Sequence, residues 1–569
     1  MPRRGTHRCL DLPPELWGLV DKAFELAPPE RYALFALCRS SRAAVTQNIA
    51  DSFGFNPEQT KAFVSTVLLR KSVFLTGGAG VGKSYVVRQI AETMRSYLES
   101  VWPLSSEDDS CTRVAIATPT AAAAKVASTV HIVAKTLHLT FNIRNRRRAP
   151  SSSPCVVERG GGHPHGGSAE QLAAEMGIGE DHMDDGSDEP GGLPTAVLDQ
   201  PTRQRLRNMM LLIIDEISMA SKEMIDLVDA ALKQARGSRR PFGGCCVLFG
   251  GDPLQLAPVC MDPEIKRMGG RIWAFQSKAW RHLSPIQLVQ VVRQAGDPRF
   301  AEILNRMRFA THTPQDVAWV NANSRKSTEN ALTAIMPSNN KCSQRNTTML
   351  ARLPGLEYHF EPERFCQEVY SRRPWGARRL ANHEIPPNAH YPPNKAVRDT
   401  LVLKIGARVR CIRNLYTGTY PDRTLDVANG QLGTVSRIEA GRVIVLFDAI
   451  GFEGAFEREL RPTVWARKQR FKVNGHAVFA CVKQLPVTLS WAQTLHSAQR
   501  GTITSDVDVD HAAVFPSSAG HWIPTPAGAY VALSRSTSVG AMRLLRPLKA
   551  SDIVADPVVL AYMKDTFMA

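Results

Sequence analysis

Gly77-Gly78-Ala79-Gly80-Val81-Gly82-Lys83-Ser84 fits the spacing G-x-x-x-x-G-K-S, and the apolar run Val73-Phe74-Leu75 leads straight into it. A helical pattern, Tyr85 to Leu98, follows. Strand, glycine-rich turn and helix, in that order, suit a crowded, multiply charged phosphate. Glycines let backbone N–H groups come close to its oxygens. A helix N-terminus aligns its dipoles on them. Lys83 can neutralise the outer phosphates, and the Ser84 hydroxyl can sit on Mg²⁺. The spacing arises by chance in a chain this long only about 2% of the time. A glycine-rich turn with an exposed lysine is therefore the weaker explanation, and residues 77–84 are the candidate nucleotide cradle.

Working outward, Val114–Ala117, Met210–Ile214 and Cys246–Phe249 are short apolar runs, each ending in a polar or glycine-rich turn. Buried parallel strands of an α/β sheet read this way. The second run ends in Asp215-Glu216. Downstream of a phosphate loop, the first carboxylate is placed to hold the Mg²⁺ shell and the second to polarise an attacking water. The third ends in Gly250-Gly251-Asp252-Pro253-Leu254-Gln255, where Gln255 is placed to sense a γ-phosphate; a polar turn closing a strand is the competing reading. Together these motifs imply ATP hydrolysis without saying what it drives.

The remaining composition narrows the class. The 569 residues suggest about three to four compact units. At 43% hydrophobic and 22% charged the chain has ample apolar mass for several cores, which excludes wholesale disorder and collagen-like repeats. Lys and Arg number 70 against 53 Asp and Glu, a net charge of +17 that favours a polyanionic partner, nucleic acid or anionic membrane. No apolar run is long enough to span a bilayer, and Met1-Pro2-Arg3-Arg4 does not open a signal peptide. A soluble, intracellular, non-secreted protein is expected. The 11 cysteines are scattered without a Cys-x-x-Cys pair, so buried reduced thiols are expected rather than disulfides or a metal site.

Residues 144–205 interrupt the α/β pattern. Arg144 to Arg148 is a basic run, Gly160 to Gly167 is glycine-rich and Glu180 to Glu189 is acidic, which reads as a flexible insertion, with a lid or binding arm as the alternative. Residues 400–448 alternate apolar and polar with glycine turns, the pattern of a small β-barrel or sheet. The α/β character returns around 487–545.

At this point the sequence resembles the Pif (petite integration frequency) family of DNA helicases, superfamily one, B-type, over roughly residues 55–545. Asn56-Pro57-Glu58-Gln59 resembles the family's adenine-reading segment, which implies that Gln59 reads the base. Thr118-Pro119-Thr120 and Thr136-Leu137-His138 resemble its first DNA-contacting segments. Leu288 to Gln294 resembles the segment whose arginine, here Arg293, faces phosphate. Trp491 to Thr502 resembles the later DNA-contacting motif, with Thr494, His496 and Gln499. Ala529 to Arg535 resembles the final motif, whose arginine reaches the γ-phosphate from the second domain. One departure stands out: the family's His-Lys-Ser-Gln-Gly reads His496-Ser497-Ala498-Gln499-Arg500 here. The resemblance implies two RecA-like P-loop motor domains with a small β-barrel insertion and a helical N-terminal extension. Expected boundaries are 1–50 for the extension, 51–285 for the first motor domain, 286–399 and 486–569 for the second, and 400–485 for the barrel. ATP and Mg²⁺ are the implied cofactors, and the catalytic set is Lys83, Asp215, Glu216, Gln255, Arg293 and Arg535. If Arg293 and Arg535 reach the phosphate bound by Lys83, they come from another domain across a cleft.

The implied partner is single-stranded DNA with tailed or forked duplexes, with movement 5′ to 3′. Thr118, Thr120, His138, Thr494, His496 and Gln499 are the expected DNA contacts. Thr and His can bond phosphate without reading bases. Two basic clusters with aromatic residues, Arg372 to Arg379 around Trp375 and Trp465 to Lys472, are candidate stacking platforms or plain solvated loops. Residues 10–45, from Leu10-Asp11-Leu12-Pro13-Pro14 onward, resemble a degenerate F-box, which implies a ubiquitin-ligase adaptor as partner and a nucleus or viral replication compartment; a helical cap on the motor is the competing reading. An interaction protein with a vestigial motor and an RNA helicase are the alternatives in function.

Overall fold

The structure is a computed structural model. It describes residues 39–101, 113–145 (short of 121, 122, 125, 126, 130, 131 and 133), 194–258 (short of 197), 273–326, 331–368 (short of 332), 400–499 (short of 418–423, 440, 441, 450–453, 474 and 475) and 503–568 (short of 504, 512, 513 and 517–521). They fall into two compact units, one within Met1–Asn145, Leu193–Lys341 and Gln493–Ala569, the other within Cys342–Ala492.

The first unit is built on a parallel sheet. Its strands are β1 (Val73–Gly77), β2 (Val114–Thr118), β3 (Lys135–Thr136), β6 (Leu211–Ile214), β7 (Cys246–Gly250) and β8 (Ser284–Leu288), in the order β3-β2-β6-β7-β1-β8. A separate hairpin of β4 (Ile143–Asn145) and β5 (Pro194–Ala196) closes the base of the glycine- and serine-rich insertion. Every residue of β1, β2, β6 and β7 is buried, because helices cover both faces. Alternate residues feed opposite cores. Val73, Leu75, Ile116, Ile213 and Leu248 pack under α1 (Arg39–Phe53), α2 (Pro57–Phe63) and α3 (Lys83–Val101). Phe74, Ala117, Leu212, Ile214, Val247 and Phe249 pack under α4 (Leu137–Phe141), α5 (Gln200–Asn208) and α6 (Lys222–Arg236). Each such Val, Leu, Ile or Phe contributes about 1.5–3 kcal/mol of burial.

A second, smaller parallel sheet lies in the same unit. Strand Val507–Val509 pairs with Thr333–Met336 on one side and Met542–Leu544 on the other. Its core is closed by Phe300, Ile303, Leu304 and Met307 of α7 (Pro298–Arg308), Val317 and Val320 of α8 (Pro314–Asn323), and residues of α9 (Gly528–Leu533). The two sheets define a first and a second lobe. Several boundaries differ from the sequence reading. β8 pairs with β1 through Leu288, so the first sheet runs past residue 285. At the other end of the chain, α10 (Pro557–Phe567) packs on first-lobe residues, with Trp280 Nε1 donating to Tyr562 Oη at 2.8 Å. The insertion also ends sooner than expected: 200–208 is the helix α5, capped by Asp199, with Thr202 and Leu206 buried.

The second unit begins at Cys342, well before the expected residue 400. Its antiparallel strands Phe456–Leu460, Arg442–Phe447, Leu432–Glu439, Arg408–Cys411 and Val487–Leu489 pair in that order around a core of Leu403, Val409, Val435, Val443, Val445, Phe447 and Val487. Among the described residues this order is linear, where the sequence reading expects a small barrel.

Candidate active site

The phosphate loop leaves β1 at Gly77 and enters α3 at Lys83. Gly77, Gly80 and Gly82 all have positive φ, at 148°, 80° and 82°. At Gly80 an added Cβ would lie 2.4 Å from the Cβ of Arg293, so only glycine lets that segment approach. Gly80→Ala is expected to strain the backbone by about 1–2 kcal/mol before any clash. Nucleotide affinity should fall about tenfold or more, as read by fluorescent-nucleotide titration.

Lys83 Nζ donates to the carbonyls of Gly77 and Gly78 at 2.9 and 2.8 Å. Burial pulls the Lys83 pKa down, against the pull of Asp252 and Glu216. Ser84 Oγ donates to Asp215 Oδ2 at 3.3 Å, and Asp215 Oδ1 accepts the Glu216 N–H at 3.0 Å. Burial pushes the Asp215 carboxyl pKa up. Ser84 and Asp215 thus form a compact set of hard oxygens, the chemistry a Mg²⁺ ion takes. Glu216 sits at φ 57° in the left-handed region, which a non-glycine residue occupies at a cost of order 1–3 kcal/mol. The turn is enforced by its neighbours. A Cβ at Gly250 would stand 2.9 Å from Asp215 Oδ1, and one at Gly251 2.8 Å from the Ile217 nitrogen.

Asn56 and Gln59 cap α2 reciprocally: Gln59 N–H donates to Asn56 Oδ1 at 2.9 Å, and Asn56 N–H donates to Gln59 Oε1 at 3.0 Å. The remaining amide group of Gln59 faces the phosphate loop, with Nε2 3.5 Å from the Val81 carbonyl.

A cleft of about 410 Å³ brings the sequence candidates together, lined by residues 79–84, Asp215, Glu216, Gln255, Arg293, Gln499 and Arg535. Gly77 and Gly78 adjoin it through the Lys83 bonds. Arg293 corrects the expectation that it reaches across from another domain. Its N–H donates to Gly80 O at 3.1 Å, so it is pinned to the first lobe's own loop. Its guanidinium then bridges to the second lobe, donating to Ser534 O at 3.0 Å. Arg535 does come from the second lobe. It is 3% exposed and held by Val531 O at 3.0 Å, by Ser534 Oγ at 2.9 Å and by the Gln499 carbonyl. Burial, and then the neighbouring Arg535, draw the Arg293 pKa down to about 10. Burial lowers that of Arg535 too.

Two expected DNA contacts face elsewhere. Thr118 is fully buried, and its hydroxyl donates to Thr120 O at 2.7 Å, shaping the turn after β2. Gln499 is 1% exposed, and its Nε2 lies 3.3 Å from both Ser218 Oγ and Gln255 Oε1, on the wall of the cleft. Thr120, His138 and Thr494 are half-buried, and His496 is exposed. In the second unit Trp465 is no open stacking platform, being 6% exposed under the Arg413 guanidinium, 5.6 Å from its ring centre. Residues 372–379 and 10–38 lie outside the described residues. Sequence reasoning gave no role to Asp252, Arg308, Gln294 or Tyr530. Asp252, Tyr530 and Gln294, whose Nε2 donates to Ser536 O at 2.8 Å, lie within the quoted motifs; Arg308 carries no sequence signal.

A PIF1-like helicase family model matches residues 197–312. ATP-dependent DNA helicase PIF1 of Xenopus laevis is 26% identical over 506 residues, 88% of this chain and 62% of that protein. The Homo sapiens protein of the same name is 27% identical over 511 residues, 89% of this chain and 63% of its own length. The chain thus spans about three-fifths of the length of these curated relatives. A Bacteroides Pif1 helicase crystallised with ADP-AlF3 and ssDNA superposes with a TM-score of 0.60 at 20% identity, over 90% of this chain and 96% of that one. Nothing in these likenesses supports the F-box reading of the N-terminus. In sequence pattern and in fold, this chain is similar to the PIF1-like helicases.

Proposed function

We propose that this chain is an ATP-dependent DNA helicase that binds single-stranded DNA, moves along it and separates tailed or forked duplexes, 5′ to 3′ on its resemblance to the family. The observation that carries the reading is the cleft itself. One ammonium and two guanidiniums from two lobes, Lys83, Arg293 and Arg535, converge beside Asp215, Glu216 and Gln255 in about 410 Å³. Cations drawn together in a buried cleft call for a polyanion, and a nucleoside triphosphate supplies one. The names and complexes of the relatives point the same way.

In this reading Lys83 and the loop amides hold the β- and γ-phosphates, and Gln59 faces the base. Ser84 and Asp215 would hold Mg²⁺, which neutralises phosphate charge when bound. Glu216 takes a proton from water as the water oxygen bonds to the γ-phosphorus and the bond to ADP breaks. Arg293 and Arg535 stabilise the charge on the transferring phosphoryl group. Once the phosphate leaves, the lobes lose their shared anion and loosen, which shifts two DNA grips relative to each other. Thr120, His138, Thr494 and His496 are the proposed contacts to the strand. The domain limits become a first motor lobe ending at Leu288, a second lobe and the antiparallel unit 342–492.

The test is ATP turnover with and without a single-strand oligonucleotide, and unwinding of 5′-tailed, 3′-tailed and RNA duplexes. Turnover should rise with the oligonucleotide, and 5′-tailed DNA should be unwound. Affinity should fall with salt at a log–log slope of about −0.7 per phosphate neutralised. Turnover indifferent to DNA, or affinity indifferent to salt, would count against the reading.

A further inference from the structure

The phosphate loop is held from a second side, by residues to which the sequence motifs give no role. Ala79 N–H, an amide of the loop, donates to Tyr530 Oη at 2.7 Å. Tyr530 is 3% exposed, and burial pushes its phenol pKa up to about 12, so the hydroxyl stays neutral at physiological pH. Arg308 stands beside it. A Cβ at Gly78 would lie 3.4 Å from Tyr530 Oη and 3.7 Å from Arg308 Cδ. Together they line a separate cavity of about 200 Å³ that Lys83 and Arg535 do not reach.

Arg308 makes a fork to Asp252, Nε to Oδ2 at 2.9 Å and Nη2 to Oδ1 at 2.8 Å, with both side chains essentially unexposed. The pair joins the second lobe to the first. Asp252 Oδ1 also accepts the Leu254 N–H at 3.1 Å, and Asp252 O accepts the Gln255 N–H at 3.0 Å. The carboxylate that Arg308 grips therefore shapes the turn that carries Gln255. Tyr530 in turn shares a rigid segment with Arg535. Ser534 N–H donates to Tyr530 O at 2.9 Å, and Arg535 reaches back to Val531 O. One short segment presents Arg535 to the nucleotide cleft and Tyr530 to the other side of the same loop.

We propose that Tyr530, with the Arg308–Asp252 pair, is the link that converts movement of the second lobe into a change at the phosphate loop. When the segment 530–535 shifts, the Tyr530 hydroxyl moves the Ala79 amide and Arg308 moves the Gln255 turn. Tyr530 and Arg308 are positioning residues in this scheme, which rests on the helicase reading above.

The test uses the full chain with Tyr530→Phe, which removes only the hydroxyl, and Arg308→Lys, which keeps the charge and loses the fork. ATPase kcat and KM are measured with and without a single-strand oligonucleotide, alongside the melting temperature. The ratio of stimulated to unstimulated kcat should fall about fivefold in Tyr530→Phe, the factor one buried hydrogen bond is worth. KM should change less than kcat. If the two residues form one link, the double variant falls no further than the worse single variant. An unchanged ratio in Tyr530→Phe overturns the proposal, as does an equal loss of stimulated and unstimulated rates, or a multiplied loss in the double variant. A wild-type chain that DNA fails to stimulate overturns the helicase reading and this link with it, so the two failures are told apart.

Discussion

Lys83→Ala will abolish DNA-stimulated ATP turnover and strand separation while leaving the fold intact. Lys83 Nζ rests on the carbonyls of Gly77 and Gly78, at the mouth of the loop that would hold the phosphates. Its charge is held there against burial, which favours the neutral form. Removing it therefore costs the fold little, and alanine is the best helix former for the first turn of α3. The loss falls on the transition state, where a preorganised charge is worth on the order of 10²–10³ in kcat. Lys83→Arg separates charge from geometry. Its planar fork cannot take the place of a compact ammonium between two carbonyls, so activity should also fall. Turnover, unwinding and melting temperature measured on the same preparations check this. Full activity in Lys83→Ala would remove the phosphate loop from the mechanism.

The parallel sheet of the first lobe was legible because its physics leaves a plain mark. β1, β2, β6 and β7 are buried on both faces, so each reads as an unbroken apolar run. The loop after β1 was legible because three positive-φ positions demand glycine. β8 left no such mark. It is an edge strand with Pro285 and Gln287 in it, tolerable there because one side of its backbone needs no partner strand. The first residues of α5, 200–205, fall at the end of the stretch that reads as a flexible insertion. What makes it helix is the Asp199 cap and two buried residues, Thr202 and Leu206.

The site was legible as a set of residue types and less so as directions. A motif string says that Thr118 and Gln499 lie near the chemistry, but not which way they point. Thr118 closes a turn, and Gln499 lines the cleft beside Gln255. Arg293 shows the same limit. Only the Gly80 contact reveals that it is anchored on the first lobe. Arg308 was invisible, because an arginine on an amphipathic helix is ordinarily solvated, and its partner Asp252 is 56 residues away in sequence.

Arg535→Ala will lower the DNA-stimulated kcat about 10³-fold, within the range an arginine reaching a transferring phosphoryl group commands. The argument is one of placement. Arg535 is the second-lobe cation in the cleft, fixed by the Val531 and Gln499 carbonyls and by Ser534 Oγ, so it is oriented before any ligand arrives. Burial lowers its pKa without taking an arginine out of its charged form at neutral pH. A cation aimed at the γ-phosphate should matter little to ADP, which has none. The affinity for fluorescent ADP should therefore stay within about threefold of wild type while turnover collapses, a separation that transition-state binding requires. Arg535→Lys should recover little of the loss, since one ammonium cannot make the same set of bonds. Alanine does leave two buried carbonyls without this donor, so some melting temperature should be lost. The deciding comparison is between ADP and ATP chemistry. If ADP affinity falls in step with turnover, Arg535 serves the fold of the second lobe, and the shared-phosphate mechanism loses the residue on which its closure depends.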